Sequence, residues 1–214
     1  VLEDEDGIYF GFINFQDQET IRVQKHQRDD EMANADMVGV SIDFDGDGLL
    51  SYGFSISAGG SILDNVVRNE NEVNYDWDSD WGHGVSIGKD VWYAEMFIPW
   101  SVAPMKAQKG DKRRVRLSFY RWIVSKYKVH STIKGNAMTE KFMSIFNEYE
   151  FNNYDVSKID YFPYVNLSED RILEEDRTKV GAEIFWKIDA GKQLNVAINP
   201  DFGQVESDEL VVNF

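Results

Sequence analysis

The chain has 214 residues, no cysteine and a formal charge of −16 at pH 7. That length holds one large β domain, or a smaller domain with an appendage. The missing cysteines exclude a disulfide framework, a thiol nucleophile and Cys-ligated zinc, and the charge argues against nucleic acid or an anionic membrane surface as a general partner.

Aromatic residues make up 14% of the chain, and β-branched runs outnumber helical periodicities, which gives an all-β class. The charge is uneven. Between Lys106 and Lys134 ten Lys or Arg residues face Asp111 alone, a strip that is either internally neutralised or a surface for an anionic ligand. No window reaches 18 apolar residues, so no transmembrane helix is expected, and no secretory apolar segment opens the chain. A start at Val1 suggests a mature product or a fragment.

In chain order, Asp6-Gly7 reads as a turn into a strand over Ile8 to Phe15, apolar on both faces and hence central, with a partner strand upstream. Glu19 to Asp30, carrying Arg22, Lys25, Arg28 and Asp29-Asp30, is a polar link. It leads into the stretch that organises the chain, Asp36 to Asp64. There Val38, Val40 and Ile42 alternate with Met37, Gly39, Ser41 and Asp43, giving an apolar face and a mixed one. The acidic turn Asp43-Phe44-Asp45-Gly46-Asp47-Gly48 returns the chain through Tyr52 to Ile56. Unpaired carboxylates cannot enter a core, so this turn lies in water, around a cation, or against basic side chains.

Asn65 to Gly84 reads as a polar loop holding Asp76, Trp77, Asp78, Asp80 and Trp81, and long loops are often functional. Val91 to Pro99 is a strand with Trp92, Ala94, Met96 and Ile98 on one side. Arg113 to Val124 is another, its core face carrying Val115, Leu117 and Phe119. Phe142, Ile145, Phe146 and Tyr149 recur with helical spacing, which predicts a short amphipathic helix over Met138 to Tyr149. Past the aromatic run Tyr161-Phe162-Pro163-Tyr164, the charged segment Ser168 to Arg177 is taken as a linker between domains at 1–167 and 178–214. Beyond it Val180, Ala182, Ile184, Trp186 and Ile188 alternate with Lys179, Gly181, Glu183, Phe185 and Lys187. After the turn Asp189-Ala190-Gly191-Lys192, Leu194, Val196 and Ile198 continue the pattern. The hairpin is either an ordinary soluble one or a pair of membrane β-strands, whose signal is weak per strand.

Candidate sites follow from chemistry. Asp43, Asp45, Asp47 and Gly48 match the first half of a calcium loop, but the twelfth position is Phe54 where a bidentate Glu is required, so this is no EF-hand. Asp76, Asp78 and Asp80 are a second acidic candidate. Trp77, Trp81, Trp92, Trp100 and Trp122 offer ring faces for sugar stacking; a strand Trp is more often core, so loop-borne Trp77 and Trp81 are the preferred clamp. His26, His83 and His130 are isolated, with no metalloprotease, nucleophile-elbow or phosphate-loop spacing, and no catalytic role is assigned.

The run Ile198-Asn199-Pro200-Asp201-Phe202-Gly203-Gln204-Val205-Glu206-Ser207-Asp208 resembles the "NPDFGQVE-x-D" signature of a family of Gram-negative outer-membrane proteins of undefined function. Upstream, Arg28-Asp29, Asp36 to Asp43, Tyr52-Gly53-Phe54 with Gly59-Gly60, Trp77-Asp78 to Trp81, Glu95 to Pro99 and Arg121 are similar to that family's N-terminal domain, itself similar to family-9 carbohydrate-binding modules. The resemblance implies a two-sheet antiparallel β-sandwich, lacking a strand upstream of Val1, followed by the first strands of an outer-membrane β-barrel, which needs at least eight. It implies a noncatalytic, glycan-binding envelope module, with the sandwich periplasmic or in the barrel lumen, Arg28, Arg121, Trp77 and Trp81 at the ligand, and structural calcium at Asp43, Asp45 and Asp47. The alternative is an assembly domain that binds protein partners and no sugar.

Overall fold

The computed structural model describes residues 1–30, 34–136, 138–154, 157–170, 175–189 and 192–200. Among them every regular element longer than three residues is a strand, every sheet is antiparallel, and the helical segments are short 3₁₀ turns. The chain divides into two compact units, Val1–Asp155 and Val156–Phe214.

In the first unit a four-stranded sheet runs β1 (Leu2–Glu3), β2 (Gly7–Phe15), β8 (Val91–Pro99) and β7 (Gly82–Gly88). A larger sheet runs β10 (Lys128–Ser131), β9 (Lys112–Ile123), β3 (Met37–Asp43), β4 (Leu50–Ser57), β5 (Ile62–Arg68) and β6 (Glu72–Asn74), with β11 (Asn147–Asn152) also paired to β9. The core forms where alternation supplies it. Ile8, Phe10, Trp92, Ala94, Met96 and Ile98 of the smaller sheet are buried, as are Val38, Val40, Ile42, Phe54, Ile56, Val115 and Leu117 of the larger. Rings from the two sheets meet edge to face, Phe119 lying 5.8 Å from Phe10 and 6.2 Å from Phe12.

Three sequence expectations change in this unit. The second strand, apolar on both sides, buries one side only: Ile13 and Phe15 stay 63% and 75% exposed. The expected loop over 65–84 is strand at Ile62–Arg68, Glu72–Asn74 and from Gly82 onward, leaving only the acidic Trp-bearing stretch irregular. The helix expected over Met138 to Tyr149 is a 3₁₀ turn at Met143–Ile145 followed by β11. Phe142 and Phe146 still meet, ring edge to face at 4.9 Å, in a cluster with Val67 and Met143. The backbone bonds available along Lys112–Leu117 of β9 draw Asn147–Asn152 into the sheet, so tertiary pairing overrides local periodicity.

The second unit is a three-stranded sheet of β12 (Lys158–Asp170), β13 (Glu175–Asp189) and β14 (Lys192–Ile198). The hairpin read from the sequence is β13 and β14, and β12 precedes it. The expected linker is no boundary: Ser168 pairs with Arg177 and Asp170 with Glu175 across the β12–β13 hairpin, and the division falls after Asp155. Residues 171–174, the turn residues Ala190 and Gly191, and the signature from Asp201 on lie outside the described residues. Register stacks Ile159, Tyr161, Pro163 and Val165 beside Trp186, Ile184, Ala182 and Val180, with Leu194, Val196 and Ile198 alongside. This face is apolar throughout. Ile159, Tyr161, Val165 and Val180 each remain more than 60% exposed.

Candidate functional site

The larger sheet turns its mixed face away from the core, and two glycines let neighbouring side chains lie close against it. Across the strands, Gly39 sits between Tyr120 and Ser55, and Gly53 between Ser41 and Asn65. Both glycines are required by close approach. A Cβ on Gly39 would lie 2.3 Å from the Tyr120 ring and 2.7 Å from Ser55 Oγ, and one on Gly53 would lie 2.7 Å from Asn65 Oδ1. On this face lies a groove of about 380 Å³ lined by Tyr120, Trp122, Ser41, Asn65, Tyr75 and Phe142, among others. The Tyr120 hydroxyl donates to Ser55 Oγ at 2.6 Å, which fixes its ring across the sheet. Ser41, Asn65 and Trp122 carry polar groups that hydrogen-bond to no other described residue. None of the lining side chains is Asp, Glu, Lys or Arg. Aromatic walls with a few convergent polar groups, at this volume, are the usual composition of a small-ligand site.

The acidic turn takes the third of its expected environments. Asp43 is wholly buried, and its carboxylate accepts the N–H groups of Asp45 (3.2 Å), Gly46 (2.8 Å) and Gly48 (2.8 Å). Gly46 and Gly48 have φ of 67° and 77°, the left-handed backbone that aims those N–H groups inward. Burial pushes the Asp43 carboxyl above its usual range, partly opposed by the three N–H donors. Asp45 accepts from Lys106 N at 2.7 Å and lies 3.7 Å from the Arg113 guanidinium. Asp47 is paired with the Lys106 ammonium. The three proposed calcium ligands therefore turn to separate protein donors and do not converge on one point.

Carboxylate oxygens converge elsewhere. Asp29, Asp64 and Asp78 bring ligand atoms within 4.8 Å of one another, and Arg28 stands among them. Its guanidinium reaches Asp64 at 2.8 Å, Asp78 at 2.7 Å, Asp29 at 3.4 Å and the Ser79 carbonyl at 2.9 Å. Asp64 also accepts from Ser79 N and Oγ. Arg28 is thus the cation of an internal cluster whose partners lie far apart in sequence, so spacing gave no sign of it.

The other predicted ligand residues are engaged as well. Trp81 is 5% exposed, its ring against Phe54 (5.6 Å) and His83 (5.3 Å), and its indole N–H has no partner among the described residues. Trp77 is half-buried on Tyr52 and Phe54. Trp92 and Trp100 are core. The proposed Trp77–Trp81 clamp is therefore corrected to a packing role. Arg121 donates to the Phe15 carbonyl and to Gln16 Oε1 at 2.9 Å, and Gln16 Nε2 donates to the wholly buried Asp36 at 2.7 Å. Burial lowers the Arg121 pKa. This network is separate from that of Arg28. Part of the basic strip is neutralised within the protein: Lys106 pairs with Asp47, Arg113 lies near Asp45, and Arg114 and Arg116 face Glu148.

Of the tryptophans considered from sequence, Trp122 alone lines the groove. Compared with protein-family models, curated proteins and solved structures, the chain finds no match.

Proposed function

We propose that this chain is a noncatalytic cell-envelope module in which residues 1–155 form a two-sheet β-sandwich that binds glycan, and residues 158–198 are strands of an outer-membrane β-barrel. The groove on the open face carries the binding reading. Sugar rings present apolar faces to aromatic side chains and hydroxyls to polar ones. Trp122 and Tyr120 supply the first contact, and Asn65 and Ser41 the second. With neither a carboxylate nor an imidazole in its lining, the groove favours recognition over acid–base chemistry.

The membrane reading is supported by the apolar face of β12–β14, which continues over three strands while the opposite face mixes Asp160, Glu183 and Asn195 with Phe162, Tyr164 and Phe185. The resemblance around Asn199-Pro200 points the same way. An assembly domain that binds protein and no sugar draws on the exposed Ile13, Phe15 and Tyr93 of the smaller sheet. A glycan array separates the two readings: a signal lost in both Trp122→Ala and Asn65→Ala supports glycan binding in the groove. Silence across neutral and acidic glycans overturns it.

A further inference from the structure

The outer face of the smaller sheet carries a second hollow, built differently. Register sets Glu95 between Gly11 and Gly84, and Phe97 between Tyr9 and Gly82. A Cβ at Gly11 or Gly84 would meet no heavy atom within 4 Å, so open space flanks Glu95 on both sides. The hollow encloses about 640 Å³, with Leu2 and His83 at its margin. Tyr9 and Phe97 stack at 4.7 Å with 30° between their planes and form one aromatic wall. The Glu95 carboxylate has no hydrogen bond or ion pair with any described residue. Asp29, Asp45, Asp47, Asp64 and Asp78 have basic partners, whereas Glu95 is left to solvent and to any ligand of the hollow. Desolvation, then Asp4 through a hydrogen bond and its charge, and Asp6 through its charge, raise the Tyr9 phenol above its ordinary pKa.

These features select a ligand by sign. Ring faces carry negative potential and attract cations, as does an unpaired carboxylate. An anion is repelled by both, and a neutral group gains nothing from Glu95. We propose that this hollow binds a small organic ammonium ion, its alkyl groups against Tyr9 and Phe97 and its charge against Glu95. The site is on the opposite sheet from the glycan groove and does not depend on it.

The test is calorimetry of the full chain with choline, and with 3,3-dimethylbutan-1-ol, its uncharged isostere. Choline should bind, the alcohol should not, and Glu95→Gln should weaken choline at least about tenfold. Gly84→Leu, which fills one side of the hollow, should abolish binding while leaving the circular dichroism spectrum unchanged. Absence of choline binding at millimolar concentration, equal binding of the alcohol, or unchanged affinity in Glu95→Gln each overturns the proposal.

Discussion

Arg28 Nη2 donates to both carboxylate oxygens of Asp64, each at 2.8 Å, and Asp64 has no solvent exposure. Removing the guanidinium strands a buried charge, retaining only the Ser79 donors and whatever water can reach. Arg28→Met should therefore cost about 3–5 kcal/mol of folding stability. Arg28→Lys should recover only part, because an ammonium cannot reproduce the fork that spans Asp64 and Asp78. Urea denaturation of the three proteins measures both effects.

The acidic turn gives a graded prediction. Asp43→Ala orphans three inward N–H groups and should cost about 2–4 kcal/mol, whereas Lys106→Ala, at an exposed pair, should cost less than about 1 kcal/mol. Burial alone would raise the Asp47 carboxyl, but the hydrogen bonds from Lys106 and Leu49 outweigh it and the pKa is lowered. A lowered carboxylate pKa contributes stability above the unfolded value of about 3.9 that is lost as pH falls through the folded value. The difference between wild type and Lys106→Ala should accordingly vanish in acid. Because protein donors hold all three aspartates, EDTA should leave the urea midpoint unchanged.

Groove binding should ignore salt, since no charged side chain lines it. Raising ionic strength shortens the screening length from about 10 Å at 0.1 M to about 3 Å at 1 M, yet glycan affinity measured by calorimetry should stay within about twofold. Gly53→Val should remove binding by pushing Asn65 aside.

In cells producing the full-length protein, Ile184→Arg should block membrane assembly, since a charge on a lipid-facing strand position costs about 2–4 kcal/mol at the midplane. Glu183→Arg, on the other face, should be tolerated. Heat-modifiable migration in the outer-membrane fraction reports assembly, and equal tolerance of both changes would reject the lipid face.

Strands with one apolar face were legible: Val38, Val40 and Ile42, Trp92 to Ile98, and Val180 to Ile188 alternate because the backbone does. β11 was not, because only Phe151 of its six residues is buried and its place rests on pairing with β9. β12 was obscured by Pro163 and by its charged end. The cluster of Arg28 and Asp64 joins residues 36 apart, a proximity the fold creates. The groove was hidden for another reason. Its walls include Tyr120 and Asn65, which lie close to the sheet only because Gly39 and Gly53 carry no side chain, and alternation registers what a strand carries better than what it omits.

Pro163 sits opposite Ala182 in mid-strand and has no N–H to offer. Among the described residues β12 is an edge strand of its three-stranded sheet, the place where a mid-strand proline is tolerated because no ladder between two neighbours loses a donor. A proline on an edge also discourages a further strand from pairing there, so Pro163 guards the β12 side of this sheet against edge-to-edge association.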